Sequence, residues 1–171
     1  MDIVFSKGAL DVSKNLGNEV YYGKELVILK NPNRSDLGKN VDIVYGYEEN
    51  SRKDFIHHRN SGINQIIAKI LFEKKIAFGF SFAAVLKNSM VIGRMKQNVI
   101  LCRKYNVEMI LASFALKKND VRTLEDLKVF GKIIGMTGAE VKKSFYILSK
   151  KIEYMRKKQA GKIPYEGVEI L

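Results

Sequence analysis

The residue types that most often carry metal or nucleophilic chemistry are scarce in this chain of 171 residues, which has two histidines and one cysteine. His57 and His58 are adjacent, and adjacent side chains on an extended segment point to opposite faces, so the pair does not readily serve one metal ion. No further histidine or cysteine pair completes a zinc site. Cys102 falls on the apolar face of a predicted helix, where a thiol packs as a small hydrophobic group. A zinc centre, a disulfide framework and a cysteine nucleophile are therefore disfavoured.

Three aspartates at strand-like positions are the remaining candidates for a metal site. The carboxylates of Asp2, Asp42 and Asp54 could hold Mg²⁺, although carboxylates at strand ends also serve as caps and salt-bridge partners. The pair Gly131-Lys132 superficially resembles a phosphate-binding loop, but it lies inside a helical pattern, which lacks the loop geometry such a site needs. Composition and spacing therefore identify no catalytic centre.

The charge distribution points instead to a polyanionic partner. Lys and Arg total 30 against 18 Asp and Glu, giving a net charge of +12. Residues 86–158 hold 17 of the basic and six of the acidic side chains, a net charge of +11, whereas residues 1–85 carry only +2. A lysine-rich solvated surface of the thermophile kind would show glutamate rising with lysine, and here it does not. We therefore predict a polyanion-binding face in the second half of the chain.

The sequence indicates neither a targeting segment nor a membrane span. The first residues lack a basic segment followed by a long apolar core, so we expect no signal peptide. The longest apolar stretch, residues 63–82, is interrupted by charges that a bilayer-spanning helix would not carry there; these are Lys69, Glu73, Lys74 and Lys75. A soluble, cytoplasmic protein without membrane contact is the expectation.

From residue 61 onward, helical and strand patterns alternate. Apolar residues at i, i+3, i+4, i+7 and i+8 from Ile63 predict an amphipathic helix over 62–74, with Ser61 as a candidate cap and Ser61 or Asn64 ordering its first turn. Helices are also predicted over 89–105 and 123–134 and after a capping box at Thr137. Nearly continuous apolar runs at 76–82 and 107–112 predict strands buried on both faces.

The first 60 residues predict short strands with tight connections, at 2–5, 19–22, 26–30, 41–45 and 54–57. Strands that alternate with helices indicate a parallel sheet, and strands buried on both faces need helices on both sides or a closed barrel. A complete (β/α)₈ barrel rarely fits below about 200 residues. We therefore predict one α/β domain over residues 1–171, a reduced TIM-like barrel with shortened or missing helices in the N-terminal third.

Several motifs follow one another between about residue 55 and the C-terminus. They are Arg59-Asn-Ser-Gly-Ile-Asn64 with Gln-Ile-Ile-Ala-Lys69 after it, Ile76-Ala-Phe-Gly-Phe-Ser-Phe82, Cys102-Arg-Lys-Tyr-Asn-Val-Glu-Met-Ile-Leu-Ala-Ser113, Asp120-Val-Arg-Thr-Leu-Glu-Asp-Leu127 with Gly135-Met136, and Gly167-Val168-Glu169. In this order they resemble the archaeal and eukaryotic ribonuclease P protein subunit of the thirty-kilodalton class, of which the chain would be a short member. Leu124 stands where that family has proline, and Phe114-Ala115 stands where Gly-Ala is common.

The resemblance implies a barrel akin to the polymerase-and-histidinol-phosphatase phosphoesterases, without their full metal set. It implies a non-catalytic subunit of a ribozyme that removes 5′ leaders from precursor tRNA. The RNA would cleave with Mg²⁺, while the protein itself would bind no cofactor. The implied partners are the ribonuclease P RNA, precursor tRNA indirectly, and a small ferredoxin-like protein subunit.

Nine residues are candidates for RNA contact. Three cations come from matching the family motifs residue by residue: Arg59, Lys69 and Arg122. Three more lie on, or just after, one basic helix: Arg94, Arg103 and Lys104. Lys117 and Lys118 follow the strand ending at Ser113, at the C-terminal rim of a barrel, and the Ser113 hydroxyl is a candidate phosphate donor. Such groups would neutralise phosphates that repel one another when a catalytic RNA compacts. We predict no catalytic residue and no metal ligand.

Two other classes of function remain open at this point. One is a metal-dependent phosphoesterase or nuclease of the related barrel superfamily, which would cleave nucleotides as the pure protein with Mg²⁺ or Mn²⁺. The other is a general RNA-binding protein with a degenerate barrel, which would associate with ribosomal RNA rather than with one small structured RNA.

Overall fold

Parallel strand pairing organises the chain. The computed structural model describes residues 1–23, 26–38, 40–50, 53–57 and 59–160. Its strands are β1 (Asp2–Ile3), β2 (Val20–Tyr21), β3 (Ile28–Lys30), β4 (Ile43–Tyr45), β5 (Ala77–Ser81) and β6 (Met109–Ala112). β1 pairs with β2, and β3, β4, β5 and β6 are neighbours in that order in a second sheet, every pairing being parallel.

The two sheets meet at one bridge. Val4 pairs in parallel with Ala115, so the chain after β1 lies beside the chain after β6. The strand order across the bridge is β3-β4-β5-β6-β1-β2. Within the described ranges, no strand pairing joins the outer strands β2 and β3.

The predicted α/β class with parallel strands is confirmed, whereas residues 53–57 form no strand. His58 and the motif Gly167-Val168-Glu169 lie outside the described residues.

Six α-helices connect and cover these strands in the described part of the chain. They are α1 (Lys7–Asn15), α2 (Gln65–Glu73), α3 (Phe82–Lys87), α4 (Val91–Lys104), α5 (Leu124–Ile133) and α6 (Gly138–Gln159). Three of them correspond to the helices predicted over 62–74, 89–105 and 123–134. The capping box predicted at Thr137 begins α6, since its hydroxyl accepts from the Glu140 amide and its own amide donates to the Glu140 carboxylate. No described helix is both long and apolar enough to cross a membrane.

Helices cover both faces of the four-stranded sheet. Side chains of successive strand residues point to opposite faces, and Leu111 and Ile110 of β6 accordingly enter two different apolar clusters. Leu111 packs in the cluster that receives α2, α4 and α5, whereas Ile110 packs in the cluster that receives Leu148 and Ile152 of α6. β5 and β6 are buried throughout, as predicted. Among the described helices, only α6 contributes to the second cluster, together with Ile3 and Tyr21, whereas Val141 and Phe145 at the start of α6 pack in the first cluster.

Two helices were not predicted from the sequence. α1 begins where the Ser6 hydroxyl accepts from the Ala9 amide, and it is a short helix in which only Ala9 and Ser13 are buried. α3 follows β5 without a loop, because the Ser81 hydroxyl accepts from the Ala84 amide and turns the strand directly into a helix. The predicted strand at 76–82 therefore ends at Ser81.

The start of α2 explains three residues of the Arg59–Asn64 motif. Asn64 is the N-cap, and its side-chain oxygen accepts from the amides of Ile66 and Ile67 at 3.0 Å each. Ser61 is buried and its hydroxyl lies 3.5 Å from the Ile63 carbonyl, so Ser61 is not the cap. Gly62 has a φ of +87°, and a Cβ there would collide with the backbone of Tyr47. The motif is thus required by the local backbone.

Candidate nucleic-acid interface

Three of the predicted cations lie together at the carboxyl edge of the sheet. Lys117 and Lys118 are exposed in the loop that follows β6, and the Lys118 side chain packs over Gly8 at the start of α1. Arg122 lies with its guanidinium 5.0 Å from the centroid of the Phe82 ring and donates to the carbonyls of Asn119 at 2.8 Å and Val121 at 2.7 Å. These contacts hold the Arg122 charge in one position at this edge.

Ser113 requires a correction, because it does not face this surface. The residue is fully buried, and its hydroxyl donates to Asp2 Oδ2 at 2.7 Å while its amide donates to Asp2 Oδ1 at 2.6 Å. The same hydroxyl accepts from the Arg122 amide at 3.3 Å. Burial raises the pKa of Asp2, and the hydrogen bonds from Ser113 and Ser13 oppose that shift. Ser113 therefore joins β1, β6 and the Arg122 loop, and its hydroxyl is not presented to a phosphate.

The residue after Ser113 adopts a backbone conformation that favours glycine. Phe114 has a φ of +49°, in the left-handed region. Its ring stacks on Tyr45 with 4.4 Å between centroids and lies 6.1 Å from the ring of Phe5. Glycine would adopt this conformation without strain, and the ring stack holds Phe114 in it.

Arg94 requires the second correction, since its side chain points into the protein. It is 9% exposed, and its Nε donates to Asp54 Oδ1 at 2.8 Å. Its Nη1 donates to the carbonyls of Glu48 at 2.9 Å and Asn50 at 2.8 Å. Arg94 thus binds the segment after β4 to α4, and its charge is used inside the fold instead of on an RNA-facing surface.

A buried polar cluster beside Arg94 escaped the sequence reasoning. Glu48 is 1% exposed and accepts from Asn98 Nδ2 at 3.0 Å, and the same amide group donates to the Ser61 carbonyl. Burial raises the pKa of Glu48 to about 7. Glu48 Oε2 and Asn98 Oδ1 are buried and have no hydrogen-bond partner among the described residues. The sequence offered one signal for this cluster: Asn98 is a polar residue at a position of α4 that the helical spacing turns toward the core.

The remaining predicted cations lie at other places on the surface. Arg59 is half-exposed, packs over Gly93 of α4 and has its Nη1 3.8 Å from Asp54 Oδ2. Lys69 is exposed on α2. Lys104 is exposed at the end of α4, with its Nζ 5.7 Å from the centroid of the Tyr105 ring. The structure therefore does not bring the predicted set together into one site.

Arg103 is exposed to solvent but firmly paired. Its Nε and Nη2 donate to the two carboxylate oxygens of Glu140 at 2.7 and 2.8 Å, and Nη2 also donates to the Gly135 carbonyl at 2.9 Å. The hydrogen bond from Arg103 is the main cause that lowers the pKa of Glu140 to about 2. Because β6 runs on from the end of α4, Arg103 and Lys104 lie at the amino edge of the sheet, opposite Lys117, Lys118 and Arg122.

The outward side of α6 carries a group that sequence reasoning did not select. Lys142, Lys143, Tyr146, Lys150 and Tyr154 are all exposed on it. We call these five residues the lysine–tyrosine face. Tyr146 is 58% and Tyr154 39% exposed, and Lys150 Nζ lies 4.9 Å from the Tyr146 ring centroid. The helical spacing that places the two tyrosines among the lysines is the sequence signal for this face.

The three aspartates considered for Mg²⁺ lie apart. Asp2 is bonded to Ser113, Asp42 accepts from the Val27 amide at 2.8 Å, and Asp54 pairs with Arg94. In the described ranges, no group of three or more His, Cys, Asp or Glu side chains is placed to hold a metal ion. Each carboxylate has a local structural role.

Comparison with known proteins identifies relatives over most of the chain. No family model matches it. The chain is 30% identical to Ribonuclease P protein component 3 of Methanosarcina mazei over 179 residues, covering 91% of this chain and 74% of that protein. The protein of the same name from Methanosarcina acetivorans gives the same identity and coverage, and that from Methanosarcina barkeri is 27% identical over 177 residues.

The fold also matches a solved structure. The chain superposes with a TM-score of 0.72 and 19% identity on a chain of the "cryo-EM structure of archaeal Ribonuclease P with mature tRNA", covering 100% of this chain and 89% of that one. This likeness shows the fold, and the sequence relationship to the Methanosarcina proteins shows the family. The chain belongs to the ribonuclease P protein component 3 family.

Proposed function

We propose that this chain is a non-catalytic protein subunit of ribonuclease P, which supports RNA-catalysed removal of the 5′ leader from precursor tRNA. The observation that carries the proposal is the 30% identity to Ribonuclease P protein component 3 of Methanosarcina mazei over 91% of the chain. The direct partner is the ribonuclease P RNA, and precursor tRNA is engaged through it. A small ferredoxin-like protein subunit is the proposed protein partner, and the proposed location is the cytoplasm.

The proposed mechanism is electrostatic. Phosphates repel one another when the catalytic RNA compacts, and cations on a fixed scaffold neutralise them and release counterions. The net charge of +11 over residues 86–158 supports this role. The RNA supplies the catalytic chemistry and requires Mg²⁺, whereas the protein is proposed to bind no cofactor of its own.

The scaffold is proposed to be a reduced TIM-like barrel. The parallel strand order β3-β4-β5-β6-β1-β2 gives six of the strands of such a barrel. α6 covers the face of the sheet that a complete barrel would enclose, because Leu148 and Ile152 pack there with Ile110. Exposed cations at both edges of the sheet would then be carried by one rigid body.

Reconstitution tests the proposal. The ribonuclease P RNA is assayed for precursor-tRNA cleavage with and without the chain, together with its protein partner, over a series of Mg²⁺ concentrations. We expect the chain to raise the cleavage rate at low Mg²⁺ and to matter progressively less at high Mg²⁺, because the ion then screens the RNA in its place. Absence of an effect at every Mg²⁺ concentration would contradict the proposal.

The pure protein supplies the decisive control. Cleavage of precursor tRNA by the chain alone, with Mg²⁺ or Mn²⁺ and no RNA subunit, would show a protein nuclease instead. Equal binding to ribosomal RNA and to ribonuclease P RNA would favour a general RNA-binding protein.

A further inference from the structure

We infer that the lysine–tyrosine face of α6 is a binding surface for RNA, with lysines contacting phosphates and tyrosine rings stacking on bases or riboses. This inference rests on the proposed function and deepens it, because it names the surface that meets the RNA. It also moves the main contact to the side of the sheet that α6 covers, away from Lys117, Lys118 and Arg122.

The five residues form one continuous strip. α6 advances about 1.5 Å and turns about 100° per residue, so the positions from Lys142 to Tyr154 span about 18 Å along the helix and about a third of its circumference. The opposite side of the helix, with Val141, Leu148 and Ile152, is buried. The strip therefore faces away from the sheet.

Positive charge is in excess on this strip, where three lysines stand against one exposed acidic side chain, Glu153, which also interacts with Lys150. Of the two acidic side chains on α6, Glu140 pairs with Arg103 and Glu153 pairs with Lys157. Within the described residues, no ion pair is found for Lys142, Lys143 or Lys150. The helix dipole does not explain Lys142 and Lys143 either, because cations are favoured at the C-terminal end of a helix and these two lie near its start. An excess of positive charge on one side of one helix attracts a polyanion.

The two tyrosines distinguish RNA from other polyanionic surfaces. Exposed aromatic rings among cations are typical of single-stranded RNA binding, where bases stack on the rings and phosphates meet the charges. Tyr146 already holds Lys150 over its ring at 4.9 Å, which places a charge beside a stacking surface. A helix that lies on a membrane needs large apolar side chains on its outward side, and those of α6 are buried against the sheet.

Arg103 extends the strip at its beginning. The Arg103–Glu140 pair lies one helical turn before Lys143, and both Arg103 and Lys143 line a shallow cavity of about 150 Å³ together with Glu108. Lys104 is exposed beside Arg103. Two of the cations predicted from the sequence therefore continue the lysine–tyrosine face at the amino edge of the sheet.

Three variants of the full chain test the inference. The charge variant is K142Q/K143Q/K150Q and the ring variant is Y146L/Y154L; glutamine and leucine are both good helix formers. The matched control K14Q/K74Q/K87Q removes three exposed lysines from α1, the end of α2 and α3. Circular dichroism and thermal melting establish that all three are folded. Affinity is then measured by fluorescence anisotropy for ribonuclease P RNA and for an unrelated structured RNA of the same length, at several salt concentrations.

We expect the charge variant to bind ribonuclease P RNA at least tenfold more weakly. The slope of log affinity against log salt should fall in magnitude by about two to three, since each lost phosphate contact removes about 0.7–0.9. The ring variant should bind ribonuclease P RNA about fivefold or more weakly. Its slope of log affinity against log salt should stay unchanged, because stacking releases no counterions. The control should change by less than threefold.

The outcomes separate this inference from the proposed function. A charge variant with unaltered affinity for both RNAs overturns the inference and leaves the proposed function standing. Wild-type binding that is equal for both RNAs and lost for both in the charge variant supports the inference but contradicts ribonuclease P. Loss of binding to the protein partner or to anionic vesicles, with RNA affinity unchanged, assigns the face to that partner or membrane and overturns the inference. Failure of the wild type to bind either RNA overturns both.

Discussion

The guanidinium of Arg103 and the carboxylate of Glu140 form a two-point ion pair that joins the end of α4 to the start of α6. The two N–O distances are 2.7 and 2.8 Å, and Arg103 also reaches the Gly135 carbonyl in the turn between α5 and α6. Glu140 at the same time accepts from the Thr137 amide in the capping box. The Glu140 carboxylate therefore caps the start of α6 and also joins α6 to α4.

Replacement of Glu140 by glutamine should lower the free energy of unfolding by about 1 kcal/mol at pH 7, since a charge-assisted pair and part of a cap are lost. The folded-state pKa of Glu140 is lowered to about 2. Its contribution is therefore present above the ordinary pKa near 4.5 and is lost as the pH falls toward 2. Urea unfolding of both proteins between pH 7 and pH 3 measures the difference. Glu125→Gln, which breaks the more exposed pair with Lys128, should lower the free energy of unfolding clearly less. An equal loss in both variants would show that Glu140 stabilises the fold no more than an exposed carboxylate does.

Arg94→Gln should destabilise the protein by about 3 kcal/mol, because it leaves a carboxylate and two carbonyls without their buried partner. Lys96→Gln on the same helix removes an exposed charge and should cost less than about 0.5 kcal/mol. Chemical denaturation of the two variants gives the comparison. If Arg94→Gln instead matches Lys96→Gln in stability but weakens RNA binding, Arg94 contacts RNA and does not stabilise the fold.

Asn64→Ala should cost about 0.5–2 kcal/mol, because two amides of the first turn of α2 lose their acceptor. Asn64→Asp keeps an acceptor oxygen at the same place and should retain most of the stability. Thermal melting of the alanine and aspartate variants measures the difference in stability. Equal melting temperatures for the alanine and aspartate variants would mean that the side-chain oxygen does not cap the helix.

Gly62→Ala should destabilise by about 2 kcal/mol or more, because the left-handed backbone disfavours a side chain and the new Cβ would push against the Tyr47 backbone. Gly138, at the start of α6, has open space around an added Cβ. Gly138→Ala is therefore the matched control, and it should leave the unfolding free energy unchanged or slightly raised. If Gly62→Ala has the same unfolding free energy as the wild type, the loop accommodates the new side chain without loss of stability.

Because of Glu48, the free energy of unfolding should fall as the pH rises above about 4.5. Its pKa is raised from near 4.5 to about 7 in the folded protein, so between these values the folded chain holds a proton that the unfolded chain has released. Glu48→Gln cannot ionise and should be more stable than wild type at pH 8, by on the order of 2 kcal/mol, with the difference vanishing near pH 4.5. Glu73→Gln, which removes the same charge from an exposed position, is the matched control in denaturant titrations.

The sequence predicted most strands and the longer helices because their apolar spacing is decided locally. β5 and β6 were recognisable as continuous apolar runs, and α2 by its 3.6-residue spacing. α1 and α3 were missed because they are short and their starts depend on single serine hydroxyls, Ser6 and Ser81. These are caps that only the folded backbone reveals.

The candidate site was harder to predict because the sequence does not state which way a polar side chain points. Arg94 is buried only since Asp54 and two carbonyls from distant segments meet it. Ser113 is buried since Asp2 arrives from the other end of the chain. The tyrosines of α6 could be placed among its lysines by helical spacing alone, but their exposure depends on which side of α6 meets the sheet.

The contact between Asp2 and Ser113 spans 111 residues of sequence, and this fixes an order of events during synthesis. At about 5–20 residues per second, the ribosome delivers the second partner on the order of ten seconds after the first. β1 and β2 can meet early, but the bridge to the second sheet waits until Ala115 has emerged. The nascent chain must therefore carry its first strand with one edge uncovered until Ala115 has emerged, and the N-terminal segment is completed only by residues of the more basic half.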